Sequence, residues 1–259
     1  MSVITPPTFG EYLRHLRTTQ GADAFPVRRR TPPGKSLNRT KLAAAADVSA
    51  GYLIKLEQGH ADNPSSEVVD RLATALGVRD VERQHMHDLA EPALQDRRPI
   101  PAISDAQREF VNHMHPHLSG YVDIAWNVLY ANTEYRRIYR NIEVRGNVLL
   151  WFFAERQSRS IMVEWEVEAR LTVAWLRSNM ARRRTSPVFK DVLSKLAQFP
   201  DFERMWRSNE ILMGRHTPYM RVRDLDNSEE MTLRAEVFPT PNPQEALQIY
   251  VGVRTNEGI

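Results

Sequence analysis

Small, apolar and turn-forming residues follow a tightly constrained order between residues 37 and 59, LNRTKLAAAADVSAGYLIKLEQG. The order predicts a short helix from about residue 39 to 46 and a tight turn at Asp47. Val48 is expected to insert between this helix and a second one over residues 50–58. Two short helices that touch through small residues across a tight turn predict a helical domain.

The ends of the predicted helices carry residues that suit helix termini. Ser49 can accept a hydrogen bond from a free N–H of the second helix, and Gly59 suits the left-handed conformation just after it. Ser65 and Gly77 bracket a further helix in the same way. Asp80 is expected to cap a fifth helix.

This stretch resembles the phage-repressor-like, or XRE-type, helix-turn-helix. One turn residue departs from that pattern, because Asp47 stands where glycine is usual; aspartate tolerates positive φ better than most residues. An ordinary helical bundle with coincidental spacing is the alternative. The resemblance is carried by Leu42, Ala43, Ala46, Val48, Ser49, Leu53, Leu56, Glu57, Gln58, Gly59, Asn63, Pro64, Ser65, Leu72, Ala73, Ala75, Leu76 and Gly77.

The resemblance implies that the second helix lies in the DNA major groove, with its N-terminal residues at base edges. Ala50 and Ile54 suit thymine methyl groups, and Lys55 suits guanine acceptors. Gly51 cannot read a base, so Ala50 and Gly51 are equally well explained as residues that only allow close approach. The predicted DNA contacts at this helix are Ser49, Ala50, Gly51, Tyr52, Ile54 and Lys55.

A basic segment precedes the two helices, and the loop over residues 21–37 is longer than the fold needs. Between residues 28 and 41 the chain has six positive charges and no acid. Such a run suits contacts with DNA phosphates or a narrow minor groove, and a solvated surface loop is the alternative. The predicted contacts are Arg28, Arg29, Arg30, Lys35, Arg39 and Lys41.

The chain changes character after the helical region. Residues 91–104, EPALQDRRPIPAIS, are rich in proline and charge and have no helical period. We therefore predict a helical domain over residues 1–92, a linker over 93–104 and a second domain over 105–259. Strand-like and helical patterns alternate in the second domain, so the fold class is an all-α domain followed by a mixed α+β domain.

The second domain resembles PAS-type sensor domains at residues 120–140, which read as two short strands and a helix. Helical patterns follow over residues 165–184 and 188–197, and strand-like pieces occupy residues 219–222, 231–238 and 247–253. The resemblance rests on the pattern Val128, Leu129, Tyr130, Ala131 and Asn132, followed by Tyr135 and Ile138.

The whole chain is similar to the MmyB-like regulators, in which an Arg-Arg-Arg-Thr-Pro loop and a helix-turn-helix precede a PAS-like domain. The family implies an antiparallel sheet wrapped by helices, dimerisation, and an apolar pocket for a fatty-acid-like effector. The likeness is looser over residues 143–195. Further matches are Arg28 to Pro32, Tyr121, Val122, Trp165, Glu166, Val167, Ala169, Arg170, Phe202 to Trp206, and Met231 to Leu233.

Large aromatic side chains could line such a pocket, although aromatic residues at these spacings more often form plain core. A carboxylate ligand would need an arginine at the mouth, for which Arg136, Arg215, Arg221 and Arg223 are the candidates. The predicted pocket residues are Trp126, Tyr130, Phe152, Trp165, Trp175, Trp206, Arg215 and Arg221, with Phe238 and Tyr250 as further aromatic candidates.

The composition and the motifs exclude several other classes. The chain has no cysteine, only a modest net charge of +3, and no apolar run of membrane-spanning length. We therefore expect a cytoplasmic protein without membrane contact. The histidines between residues 113 and 117 are interrupted by Pro116, so we predict no metal site there. No catalytic or phosphate-binding motif is found, and neither an enzyme nor a cofactor is predicted.

These observations predict a dimeric, sequence-specific transcriptional regulator, a repressor or autoregulator, that binds an operator and senses a small apolar, fatty-acid-like molecule. The alternative is a regulator whose second domain is a ligand-free dimerisation or protein-interaction module. An enzyme fused to a DNA-binding domain has the least support.

Overall fold

A computed structural model describes residues 4–19, 37–61, 63–94, 102–215, 217–240 and 247–255. The chain forms two compact units. The first, called the N-terminal unit, comprises Pro6–Gln95 together with Ala181–Thr185. The second, called the C-terminal unit, comprises Met1–Thr5, Asp96–Met180 and Ser186–Ile259.

The N-terminal unit is helical, as the sequence predicted. Its helices pack around a core that includes the fully buried side chains of Leu13, Leu42, Leu53, Leu72 and Met86. In the described part of the chain these helices are α1 (Phe9–Thr19), α2 (Arg39–Ala45), α3 (Ala50–Glu57), α4 (Ser66–Leu76) and α5 (Asp80–Ala90).

Most of the predicted helix ends are confirmed. The Ser49 hydroxyl accepts from the Tyr52 N–H at 3.1 Å, and the Ser65 hydroxyl accepts from the Val68 N–H. The expected cap at Asp80 is wrong. Arg79 is the N-cap residue of α5, so Asp80 is the first residue of the helix, and the Arg79 backbone N–H donates to the Glu82 carboxylate at 2.8 Å.

The turn between α2 and α3 forms without glycine. Asp47 adopts a φ of 51°, the left-handed conformation that the sequence required of it. Val48 is half-buried after the turn. A second contact brings α1 against the end of α3, where a Cβ added at Gly10 would lie 2.3 Å from the Leu56 carbonyl oxygen. The backbones therefore touch at Gly10, a contact that sequence reasoning missed.

The C-terminal unit is built on a five-stranded antiparallel sheet in the order β2-β1-β5-β4-β3. The predicted strands are confirmed, each within a few residues. Tyr250 pairs with Gly120 on one side and with Val237 on the other. The strands are β1 (Leu118–Asp123), β2 (Val128–Ala131), β3 (Tyr219–Arg223), β4 (Glu230–Pro239) and β5 (Leu247–Thr255).

Helices cover the sheet on both faces. On one face Val111 of α6 packs in a small cluster with Tyr121 and Leu247, and on the other face Val122 belongs to the main core. The helices of this unit are α6 (Asp105–Asn112), α7 (Thr133–Ile138), α8 (Ile142–Arg145), α9 (Val148–Ala154), α10 (Ser158–Ile161), α11 (Trp165–Met180), α12 (Pro187–Leu196) and α13 (Pro200–Arg207).

The predicted helix over residues 165–184 forms in two parts. Helix α11 ends at Met180 and a 3-10 helix, Ala181–Arg183, follows it. This short segment belongs to the N-terminal unit, where Arg182 pairs with Glu91 at 2.6 Å. The Leu94 N–H donates to the Arg182 carbonyl at 2.7 Å. A segment distant in sequence therefore completes the N-terminal unit.

Candidate functional site

Helix α3 presents a polar and small-residue face to solvent. Ala50, Gly51 and Lys55 are exposed, and Ile54 has 36% of its surface exposed. The buried side of the helix carries Leu53 and Leu56, which fix its rotation. The predicted reading residues therefore share one face, and Tyr52 is half-buried at its edge.

Ser49 and Lys41, which are both predicted DNA contacts, lie in different surroundings. The Ser49 hydroxyl is used as the α3 cap, so its oxygen lies at the N-terminal end of the helix that carries the exposed face. Lys41 is exposed on α2. Arg28, Arg29, Arg30 and Lys35 lie outside the described residues.

A buried carboxylate ties α1, α2 and α3 together. Arg17 donates to Glu57 from Nε at 2.5 Å and from Nη2 at 3.1 Å, and Arg39 Nε donates to the same carboxylate at 2.7 Å. Burial alone would raise the pKa of Glu57, but the hydrogen bonds and charges of Arg17 and Arg39 outweigh burial and lower it. Arg39 is thus part of the fold as well as a predicted DNA contact.

The C-terminal unit contains an apolar cavity with about 730 Å³ of empty space, its open mouth included. Helices α7, α9 and α11 and strands β1, β3, β4 and β5 contribute its walls. Its lining is Val122, Trp126, Tyr135, Tyr139, Ile142, Val148, Trp151, Phe152, Met162, Glu168, Leu171, Thr172, Trp175, Gly214, Arg215, Met220, Ala235, Val237 and Tyr250.

One ion pair lies in this otherwise uncharged lining. Arg215 Nη1 lies 2.5 Å from Glu168 Oε2, and Arg215 Nη2 lies 2.7 Å from Glu168 Oε1. Both side chains are largely buried, with 14% of Arg215 and 5% of Glu168 exposed. This two-point geometry is the strongest form of arginine–carboxylate pairing.

Three tyrosines form an aromatic wall of the cavity. The Tyr139 and Tyr250 hydroxyls are 3.0 Å apart, and the Tyr135 ring meets the Tyr250 ring edge-on at 5.3 Å. Burial raises the pKa of Tyr250 to about 12, and burial also raises the pKa of Tyr135 and Tyr139. All three phenols are therefore neutral at physiological pH.

Trp126 has an unsatisfied polar group. Its indole N–H is buried and has no hydrogen-bond partner among the described residues. The residue has a φ of 67° in the turn between β1 and β2, and its ring packs edge-on against Trp175 at 5.0 Å. A buried donor without an acceptor costs free energy. This donor belongs to a residue of the cavity wall.

The mouth of the cavity opens into a wider recess. The two share Trp175, Gly214, Arg215, Ala235 and Val237. The recess adds Ser178 and Asn179 from α11, Met213 and Pro218 from the loop before β3, and Glu236 from β4. This route connects the cavity with solvent.

The structure brings part of the predicted pocket together. Trp126, Phe152, Trp175, Arg215 and Tyr250 line the cavity. The remaining aromatic candidates do not, and their contacts explain why. The Tyr130 hydroxyl donates to Asn112 of α6, the Trp165 indole donates to the Phe152 carbonyl, Trp206 stacks on Phe202, and Phe238 is 48% exposed.

The other arginine candidates also lie outside the lining. Arg221 is 43% exposed and 3.6 Å from Glu230, Arg223 pairs with the same carboxylate, and Arg136 pairs with Glu143. Sequence reasoning missed Glu168, Tyr135 and Tyr139 as lining residues. The spacing of the two tyrosines, four residues apart, was the available signal, because it places both on one helical face.

Within the described residues, no group of His, Asp or Glu could hold a metal ion. Among the same residues, no helix is both long and apolar enough to cross a membrane.

The chain has the parts of a DNA-binding transcription regulator with a ligand-binding domain: a helical unit in which α3 presents an exposed face, followed by an α+β unit around an apolar cavity. Residues 8–86 match the model of a helix-turn-helix domain. Residues 103–256 match the model of the MmyB-like transcription regulator ligand binding domain, and the chain belongs to this family. None of the curated proteins compared with the chain matches it.

Proposed function

We propose that this regulator is a homodimer that binds an operator in its own promoter as a repressor, and that a small apolar molecule in the C-terminal cavity changes its affinity for that operator. The observation that most directly supports ligand binding is the cavity, with its mostly apolar lining and its few convergent polar groups. A cytoplasmic location is part of the proposal, because the operator lies there.

The exposed face of α3 supports the DNA-binding part. In the helix-turn-helix geometry each protomer reads one half-site, and the two half-sites lie about 34–36 Å apart. Ala50, Ile54 and Lys55, which are exposed, are proposed to touch bases, while Arg28, Arg29 and Arg30 are proposed to contact phosphates or the minor groove. We also retain the XRE-type and PAS-like relationships as part of the proposal.

Helix α11 lines the cavity and leads into the N-terminal unit, and this connection supports coupling between ligand binding and DNA binding. Glu168, Leu171, Thr172 and Trp175 of α11 line the cavity. Along the chain, α11 leads directly into Ala181–Thr185, which belongs to the N-terminal unit. A ligand that favours one position of α11 therefore has a covalent route to the unit that carries α3.

Genome-wide mapping of DNA bound by the full chain, followed by anisotropy titration of the recovered sites, tests the proposal. We expect a palindromic site in the chain's own promoter, and an affinity that changes when small molecules extracted from the host are added. An Ala235→Leu variant, in which the larger side chain narrows the cavity, is expected to keep its DNA affinity but to lose the response to the added molecules. DNA binding that is insensitive to every extract would instead support a ligand-free dimerisation module.

A further inference from the structure

The ion pair in the cavity leaves few N–H groups of Arg215 free to bind a ligand. Besides its two bonds to Glu168, Arg215 donates from Nε to the Thr217 carbonyl at 3.1 Å and from Nη2 to the Tyr219 carbonyl at 3.2 Å. Four of the five N–H groups of a guanidinium are therefore occupied. The paired charges cancel, so the cavity presents no net charge.

The entrance is no more favourable to an anion. Its additional charged residue is Glu236, whose carboxylate accepts from Arg234 Nε at 3.2 Å. Among the described residues that line the cavity and the recess, Arg215 is the single cation. An ionised carboxylate that entered would lose its hydration and meet the Glu168 carboxylate, and both effects disfavour its binding.

The neutral polar groups of the lining are better suited to an uncharged ligand. The buried Trp126 N–H has no hydrogen-bond partner among the described residues. The Tyr139 and Tyr250 hydroxyls share one hydrogen bond, and the Tyr250 hydroxyl also donates to Met220 Sδ at 3.8 Å, so the pair keeps oxygen lone pairs that can accept from a ligand hydroxyl. The surrounding rings of Tyr135, Trp151 and Trp175 offer apolar and aromatic surface.

We propose that the effector is an uncharged, mainly apolar molecule with a hydroxyl or carbonyl oxygen that accepts from the Trp126 N–H, and that the Glu168–Arg215 pair excludes ionised carboxylates. This inference rests on the proposed ligand-sensing function. It replaces the fatty-acid-like effector expected from the sequence, because the arginine that would bind a carboxylate already binds Glu168.

The test compares two probes that differ only in the headgroup, 1-decanol and decanoate, titrated into the full chain at pH 8, where the carboxyl group is ionised. Isothermal calorimetry gives the affinities, and mass spectrometry of the purified protein identifies any small molecule that it carries. For the wild type we expect 1-decanol to bind at least tenfold more tightly than decanoate.

The Glu168→Gln variant tests the cause of this preference. It removes the carboxylate that occupies Arg215, so decanoate is expected to gain at least tenfold in affinity while 1-decanol changes less than threefold. Glu166→Gln is the matched control on the same helix, because Glu166 is half-exposed and pairs with Arg204 on the surface. Neither affinity is expected to change in this control.

The Trp126→Phe variant tests the proposed acceptor contact. Loss of one hydrogen bond is expected to weaken 1-decanol binding about threefold to tenfold and to leave the weak binding of decanoate unchanged. Thermal unfolding of each variant checks that the C-terminal unit remains folded.

The outcomes separate the inference from the function on which it rests. Decanoate that binds the wild type as tightly as 1-decanol, or a Glu168→Gln variant that does not gain decanoate affinity, overturns the inference and leaves ligand sensing standing. If neither probe binds and the purified protein carries no small molecule, ligand sensing is overturned, and the inference with it.

Discussion

Glycine occupies two helical positions of the N-terminal unit for different reasons. At Gly10 a Cβ would lie 2.3 Å from the Leu56 carbonyl oxygen and 3.0 Å from that of Glu57, both of which are backbone atoms. At Gly51, on the exposed face of α3, the same Cβ would meet nothing within 4 Å. One glycine is required by packing, whereas the other costs α3 stability.

These surroundings predict opposite effects for the same substitution. Gly10→Ala is expected to lower the free energy of unfolding by about 2 kcal/mol, because α1 must move away from α3. Gly51→Ala is expected to raise it by about 0.5–1 kcal/mol through better helix propensity. Urea denaturation of the full chain, followed by circular dichroism, measures both. Equal effects of the two substitutions would contradict the close contact at Gly10.

The buried Glu57 carboxylate predicts acid sensitivity. Its pKa is lowered in the folded state, so its ionised form stabilises the N-terminal unit at every pH above the ordinary value of 4.5. As the pH falls below 4.5 towards the lowered folded pKa, this contribution is lost.

The Glu57→Gln variant should therefore be about 3 kcal/mol less stable at neutral pH, because Arg17 loses its ionic partner. Its stability should fall less than that of the wild type between pH 4.5 and pH 3. Denaturant unfolding at several pH values measures both effects. Parallel pH profiles for the two proteins would exclude Glu57 as the group responsible.

At the scale of elements, the exposed face of α3 contains few side chains that can read bases. Ala50 and Gly51 have no hydrogen-bonding side chain, so Lys55 is the one exposed residue of α3 that can donate to a base. We therefore expect much of the affinity to come from phosphate contacts made elsewhere, including the basic segment.

Replacement of Arg28, Arg29 and Arg30 by glutamine tests this expectation. DNA affinity should fall for all sequences, and the slope of log K against log salt should become less negative by up to about 2.7, because each phosphate contact contributes about 0.9. Lys55→Gln is the control, since it should reduce discrimination between operator and random DNA. An unchanged salt slope in the triple variant would exclude phosphate contacts by this segment.

At the scale of the whole molecule, the N-terminal unit is not continuous in sequence. Residues Ala181–Thr185 supply contacts to the end of α5 and the residues after it: Arg182 pairs with Glu91, and Arg184 Nη2 donates to the Glu91 carbonyl at 2.8 Å. A protein that stops at residue 95 lacks these contacts.

We expect residues 1–95 produced alone to exchange the amide hydrogens of the last turn of α5 at least tenfold faster than the same amides in the full chain. Hydrogen exchange followed by mass spectrometry measures this difference. Helix α3 takes part in none of these contacts. It serves as the internal reference, and its amide exchange rates should change less. Equal protection of α5 in both proteins would show that Ala181–Thr185 adds no stability.

The sequence by itself determined the elements whose signals are local. Helix caps at Ser49 and Ser65, the turn at Asp47 and the alternation of the late strands depend on neighbouring residues, so they could be predicted together with the family. An apolar pocket was expected from the family resemblance, and five of the candidate residues line the cavity of the C-terminal unit. Helix α9 was not among the predicted helices, because all six residues over 148–153 are apolar and so show no helical period.

Tertiary structure alone decided which side chains meet. Glu168 and Arg215 are 47 residues apart, and their pairing depends on how α11 packs beside the loop before β3. Tyr130 and Tyr250 are equally aromatic, but strand register points one towards α6 and the other into the cavity. The family resemblance therefore predicted an apolar cavity, whereas its electrical neutrality follows from long-range packing that no local pattern records.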